Sequence, residues 1–291
     1  NVLNRYNKTT GLFQNHTANH IQSDGLTHSS IWCIVKDNQG TLWLGTYFGG
    51  VNYFNPEYEI YTRYSYSSNE KQGLSNPVVG RTIEDKNGNL WIGTEGGGLN
   101  YFNRRTREFK WYRPQEGRNS ISHNNVKALY YDADKEIIWI GTHLGGLNRL
   151  DIRSGHFTHY RMEDNNRQTL PSDIVRDIIP YKDLLIVATQ NGVCLFEPDS
   201  GKCRQLFKDS KEGKSIKMVA DILLDSESTL WIAATGEGVF SYRFDTRKLT
   251  NYRHDSANPN SLSNNNVNNI MQDPVCLYAN SADSCEHAFL S

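Results

Sequence analysis

The chain has 291 residues, with 31 Lys+Arg against 32 Asp+Glu and a formal net charge of -1. That balance excludes the electrostatic footprint of a nucleic-acid binder or of a protein held on an anionic membrane surface. Aromatics at 11%, with Tyr 16, Trp 6 and Gly 23, exclude disorder.

In chain order, Val2-Leu3-Asn4-Arg5-Tyr6-Asn7 reads as the later half of a unit that is met again further on, as Gly146-Leu147-Asn148-Arg149-Leu150-Asp151. No charged-then-apolar leader follows Asn1, so any targeting signal lies upstream or has been removed. No apolar run approaches the roughly 18 residues of a membrane span. The first whole unit predicts strand A at Ile31 to Lys36, B at Thr41 to Tyr47, C at Val51 to Phe54 and D at Ile60 to Tyr66. Short runs rich in β-branched and aromatic residues, punctuated by Gly and Asn, are strand signals. Within it, Asp37-Asn38-Gln39-Gly40-Thr41-Leu42-Trp43-Leu44-Gly45-Thr46 precedes Gly49-Gly50-Val51-Asn52. The second unit repeats this as Asp85-Lys86-Asn87-Gly88-Asn89-Leu90-Trp91-Ile92-Gly93-Thr94 and Gly97-Gly98-Leu99-Asn100, and the third as Trp139-Ile140-Gly141-Thr142 and Gly145-Gly146-Leu147-Asn148. Trp43, Trp91 and Trp139 are spaced by 48 residues. Two degraded copies follow, at Ile186-Val187-Ala188-Thr189 and at Leu230-Trp231-Ile232-Ala233. A sixth begins at Leu262-Ser263-Asn264 and stops matching after Asp273.

Four short strands at a fixed period predict an all-β fold, a β-propeller of four-stranded blades. The expected domain is 1–273: a partial blade at 1–20, whole blades at about 28–66, 76–112, 124–161, 173–208 and 216–253, and a last strand at 266–273. Residues 274–291 are an atypical tail without a strand-B motif. Closure between the two ends would give six blades. Both faces of strands A and B are apolar, so both are expected to be covered. The Asp of each A–B turn is expected to bond the turn backbone. Trp91 is expected to pack between blades, and Gly45, Gly93 and Gly141 to leave room for the Trp of a neighbour.

The run Leu-Ser-x-Asn-x-Val, then Asp-x-x-Gly-x-Leu-Trp-Ile-Gly-Thr, then Gly-Gly-Leu-x-x-Phe, resembles the two-component regulator propeller repeat over about residues 25–273. The resemblance implies the periplasmic sensor region of an inner-membrane hybrid receptor that joins a histidine kinase and a response regulator. It implies detection of polysaccharide fragments to control carbohydrate-utilisation genes. It also implies a neighbouring propeller, a β-sandwich domain and a receptor homodimer as partners. The family tendency is seven blades, which would make this chain part of a larger array.

Kinase chemistry needs a phosphoacceptor helix and a phosphate loop, and neither is legible. His156 and His159 sit three apart in a strand and face opposite sides, which disfavours a shared metal. Asp85-Lys86-Asn87-Gly88-Asn89 shares letters with a calcium loop, but its Gly is misplaced and the distal Glu is missing. Asn7-Lys8-Thr9 and Asn15-His16-Thr17 are glycosylation sequons by pattern. The expectation is no catalytic residue, no metal and no cofactor. Cys194 and Cys203 flank the turn Pro198-Asp199-Ser200-Gly201. They are either a hairpin disulfide or two buried thiols, the commoner case.

Aligned on strand A, Cys33, Arg81, Ala128, Asp177, Asp221 and Asn269 form a polar column. It predicts either a solvated central channel, with Arg81 balanced by Asp177 or Asp221, or a ligand ring at the channel mouth. The loops entering strand A and the B–C loops share a face. They bring His28, Asn76 and His123, and Tyr47, Phe48, Glu95, His143, Gln190 and Glu237, as candidate ligand-binding residues. Aromatics beside Asn, Glu and His suit a neutral oligosaccharide. The competing classes are a propeller glycosidase or lyase, which needs clustered titratable residues at the channel mouth, and a protein-interaction scaffold.

Overall fold

The computed structural model describes residues 3–7, 12–16, 26–28, 30–38, 40–55, 60–207, 216–258, 261–272, 277–281 and 287–290. Thr9 and Thr17 of the two sequons, Gln39, Cys276 and Cys285 lie outside them, as does much of the expected partial blade at 1–20. The described residues contain strands, one 3-10 turn at Glu70–Gln72 and no α-helix, hence no helix able to cross a membrane.

β1 (Leu3–Asn7) and β2 (Leu12–His16) form an antiparallel pair. Five four-stranded sheets follow, each a β-propeller blade. The first is β3 (Ile31–Lys36), β4 (Leu42–Thr46), β5 (Val51–Asn55) and β6 (Ile60–Tyr64). The second is β7 (Val79–Glu84), β8 (Leu90–Thr94), β9 (Leu99–Asn103) and β10 (Glu108–Tyr112). The third is β11 (Val126–Asp132), β12 (Ile137–Thr142), β13 (Leu147–Asp151) and β14 (Phe157–Tyr160). The fourth is β15 (Val175–Tyr181), β16 (Leu184–Thr189), β17 (Gly192–Phe196) and β18 (Cys203–Gln205). The fifth is β19 (Val219–Leu224), β20 (Thr229–Ala234), β21 (Gly238–Arg243) and β22 (Leu249–Tyr252). β23 (Val267–Gln272) then pairs with β24 (Leu277–Ser281), which pairs with β25 (His287–Leu290). The tail thus supplies two strands without a strand-B motif: main-chain pairing alone satisfies one open edge of β23.

The chain forms two compact units, Asn1–Ile140 with Arg149–Thr158, and Gly141–Asn148 with His159–Ser291. In each, the core is a series of layers between consecutive blades. Trp43 and Val51 pack on Val79, Leu90, Ile92 and Phe102 of the next blade. Trp91 and Leu99 pack on Val126, Leu129, Ile138 and Ile140. In the second unit, Ile186, Ala188, Val193 and Leu195 meet Ile222, Leu230, Ile232 and Phe240.

The A–B turns explain why Asp, Gly and Trp recur together. Asp85 Oδ1 accepts from the backbone amides of Asn87 (2.9 Å) and Asn89 (3.0 Å), and Oδ2 from the Trp91 indole (3.3 Å). Asp37 and Asp225 bond Trp43 and Trp231 in the same way, each at 2.8 Å. One carboxylate therefore folds the turn and satisfies the buried indole donor that would otherwise be left unpaired.

One expectation is corrected. The neighbour that needs the repeat's Gly is a Val, not a Trp. A Cβ on Gly93 would lie 2.6 Å from Val126 Cγ1; one on Gly45 would lie 2.6 Å from Cys33 Sγ of its own blade and 2.9 Å from Val79 Cγ1, both Val residues being on strand A of the next blade. In β3, Trp32 (55%) and Ile34 (53%) are exposed, whereas Leu129, Ile178 and Ile222 at the position of Ile34 in the later blades are buried; most residues that precede the first whole blade lie outside those described. Strand A also carries a recurrent irregularity. Its register shifts between Ile31 and Cys33, Val79 and Thr82, Val175 and Asp177, Val219 and Asp221, and Val267 and Asn269.

Cys194 and Cys203 sit diagonally on β17 and β18, buried, with sulfurs 3.2 Å apart. The hydrogen bond to Cys203 and then burial push the Cys194 thiol well above the usual range. The thiolate of a folded, reduced chain is therefore suppressed, and Cys194 will resist alkylation at mildly alkaline pH until the blade is unfolded. Mass spectrometry of alkylated protein, with and without denaturant, checks this; rapid labelling of the native chain would contradict it.

Candidate functional site

In the first four blades the B–C tip is built by the Thr that ends strand B. The hydroxyls of Thr46, Thr94, Thr142 and Thr189 donate to the carbonyls of Gly50, Gly98, Gly146 and Gly192, at 2.8–2.9 Å. The tip amides then reach the next blade's entering loop. Gly98 N donates to Asn124 O (2.7 Å), Gly146 N to Asp173 O (2.8 Å) and Gly238 N to Asn265 O (3.0 Å). Within a blade, Asn100 Oδ1 accepts from Ser75 N and its Nδ2 donates to Ser75 Oγ, both at 2.8 Å. Asn52 holds Thr27 in the same way. The recurrent letters of the loops are thus a frame, and the variable letters are carried on it.

In the first unit, the structure assembles Tyr47 and Phe48 with His28 and with Trp32. The Trp32 and Tyr47 rings stack at 5.2 Å with an interplanar angle of 9°. Tyr47 and Phe48 meet edge-on at 4.3 Å, and His28 lies 6.4 Å from Phe48. Phe48 is 59% exposed. Trp32 is the member that sequence reasoning missed, having been placed in a covered strand. The signal for it existed: its equivalents in the other A strands are Gly80, Lys127, Arg176, Ala220 and Asn268, small or polar in every copy.

Several candidates are engaged in the frame. His28 and His123 each accept a backbone amide on Nδ1 (from Ser30 and Asn125, 3.0 Å), and Asn76 Oδ1 accepts from Val78 N (2.9 Å). Glu95 pairs with Lys127 of β11, and its main chain bridges to Asn125. In the second unit, Glu237 pairs with Arg253, Gln190 O accepts from Met218 N (2.7 Å), and His143 is half-buried beside exposed Leu144.

The strand-A column does not line a solvated channel at its acidic members. Asp177 and Asp221 are 7% and 3% exposed. Their carboxylates accept from the Ile222 and Ile270 amides of the following strand A, at 3.3 and 2.9 Å. The register shift in strand A precedes these positions and accounts for a carboxylate being useful there: it occupies amides that the irregular ladder leaves open. Cys33 does comparable work as a donor to Gly80 O (3.2 Å), and desolvation raises its thiol pKa against the weaker opposing field of Arg81. Among the described residues, no group of three or more His, Cys, Asp or Glu is placed to hold a metal.

The family model described as "Two component regulator propeller" matches residues 25–48, 73–96 and 120–143. No curated protein matches the chain. Among solved structures, the chain is similar to the extracellular domain of the hybrid two component system BT3049 from B. thetaiotaomicron, at 21% identity and a TM-score of 0.67, covering 91% of this chain and 40% of that one. It is also similar to the extracellular domain of the hybrid two component system BT4673 from B. thetaiotaomicron, at 20% identity and a TM-score of 0.63, covering 95% of this chain and 43% of that one. The chain therefore spans less than half the length of either. Three of its segments match the two component regulator propeller model, and its fold is similar to that of part of these extracellular domains.

Proposed function

We propose that the chain is the ligand-detecting part of the extracytoplasmic, periplasmic region of a two-component receptor, and that it binds a neutral oligosaccharide without turning it over. The exposed Trp32–Tyr47–Phe48 cluster carries this reading. Stacked, solvent-facing rings offer flat apolar faces to the CH faces of a sugar, and the neighbouring His28 offers a polar group to its hydroxyls. The His123, Asn76, Glu95 and Glu237 side chains are tied into the blade frame. On this reading, the rest of the receptor supplies an adjoining propeller, a β-sandwich, a homodimer contact and the kinase that reports to carbohydrate-utilisation genes. The affinity is modest, because an open aromatic face buries little area.

The test is calorimetry against a panel of neutral oligosaccharides, with a reducing-end assay on the same mixtures. Trp32→Ala with Tyr47→Ala should weaken binding by about tenfold or more, which is about 1.4 kcal/mol. Unchanged binding by the folded double variant would remove the site from this tip, and released products would make the protein an enzyme.

A further inference from the structure

The A–B end of the first unit, at the far end of β4 from the aromatic tip, contains a cavity of about 520 Å³. This lies in the ~300–1,000 Å³ range of small-molecule sites. Its accessible aromatic wall is Tyr53 and Tyr64, both half-buried, backed by Trp43 and Phe102, which are 3% and 1% exposed, and Asn87 and Asn89 adjoin it. Trp43 and Tyr64 stack at 6.2 Å and 14°, so the wall is a fixed surface.

Four cationic side chains line the same cavity, and two of them are spoken for. Arg104 bonds Asp37 (2.8 Å) and Glu84 (3.1 Å) and lies 5.2 Å over the Trp43 ring. Lys86 pairs with Glu136 (2.5 Å), which also takes Arg153. Arg105 and Arg107 are exposed, and among the described residues no carboxylate meets either guanidinium. Their backbone is nevertheless pinned. Asn103 Oδ1 accepts from the Arg105 and Thr106 amides, both at 3.0 Å, and Arg107 N donates to Asn103 O (2.8 Å). The Tyr53 and Tyr64 hydroxyls have no hydrogen-bond partner among the described residues, and burial keeps the Tyr64 phenol protonated above its usual range.

Two uncommitted guanidinium forks beside a rigid aromatic wall with open hydroxyls select for a planar anion joined to a ring. We propose that this cavity binds a carboxylate carried on a ring, a uronate or an aromatic acid, with Arg105 and Arg107 on the carboxylate and Tyr53 and Tyr64 on the ring. The site is independent of the aromatic tip, since the five residues of β4 separate the two by roughly 15 Å.

The experiment is calorimetry of the whole chain with glucuronate, benzoate, glucose and acetate as probes, at low and high salt. At least one ring acid should bind, about tenfold tighter than glucose or acetate and more weakly at high salt. Which acid binds tells a sugar source from an aromatic one. Arg105→Gln with Arg107→Gln, both exposed positions, should reduce that binding about tenfold with the circular dichroism unchanged. Tyr64→Phe should weaken it while leaving the salt dependence intact. Trp32→Ala with Tyr47→Ala should leave it unaltered, so that failure here and failure of the oligosaccharide reading are told apart. Equal binding of glucose, equal binding of acetate, no binding of either ring acid, or full binding by the Arg double variant would overturn the proposal.

Discussion

Trp91→Ala will lower the stability of the chain by about 3–5 kcal/mol, read as a shift in the urea unfolding curve. Trp91 is 2% exposed, and its ring lies 4.8 Å from Tyr101 and 5.7 Å from Tyr112. It forms one wall of the layer against Val126, Leu129 and Ile138 of the third blade, so its loss opens a cavity that two sheets border. The Asp85 carboxylate also loses its indole donor and keeps only its turn partners. Trp91→Phe separates these contributions. It keeps most of the packing, gives up the hydrogen bond, and should cost about 1–2 kcal/mol beyond the smaller volume. A near-neutral Trp91→Ala would mean that the inter-blade layer is not where the stability resides.

Gly98→Ala is the second large effect, about 2–4 kcal/mol from backbone strain and overpacking together. Gly98 has φ +80, and a Cβ there would lie 2.2 Å from the Tyr112 carbonyl oxygen. The carbonyl belongs to β10 of the same blade and cannot withdraw without breaking the sheet. Gly117 is the control: it has φ +68 but nothing within 4 Å of an added Cβ. Gly117→Ala should therefore cost only the left-handed backbone penalty, about 1–2 kcal/mol. The difference between the two variants isolates the steric part. Equal effects would show that conformation alone explains the Gly-Gly signature.

The repeat made the blades legible because each letter of the motif serves its own blade or the next one, at a fixed offset. Strand A of the first unit coincides with β3, and the turn Asp acts on its own backbone as expected. The indole bond from Trp91 to Asp85 was not legible, since it joins residues six apart across a turn whose geometry the letters do not state. The register shift in strand A was hidden for a related reason. Alternation is read on the assumption of one residue per step, and an extra residue leaves the composition unchanged. Trp32 shows a further limit. An apolar pattern says that both faces of a strand can be covered, but the presence of a cover is a property of the neighbour. The cavity beside Arg105 and Arg107 was out of reach because it needs Trp43 and Tyr64 of one blade to meet the turn of the next.

The tip-to-loop hydrogen bonds have a mechanical consequence. The amides of Gly98, Gly146 and Gly238 each belong to one blade and donate to a carbonyl of its successor. In a nearest-neighbour chain of this kind, the free energy of opening accumulates interface by interface. Solvent exchange at those three amides is then a gauge placed on individual seams, and the blade interiors need not open for it to register. A molecule that clamps a tip would slow exchange at one seam first, and the spread of that slowing along the series would measure how far a local binding event is felt down the chain.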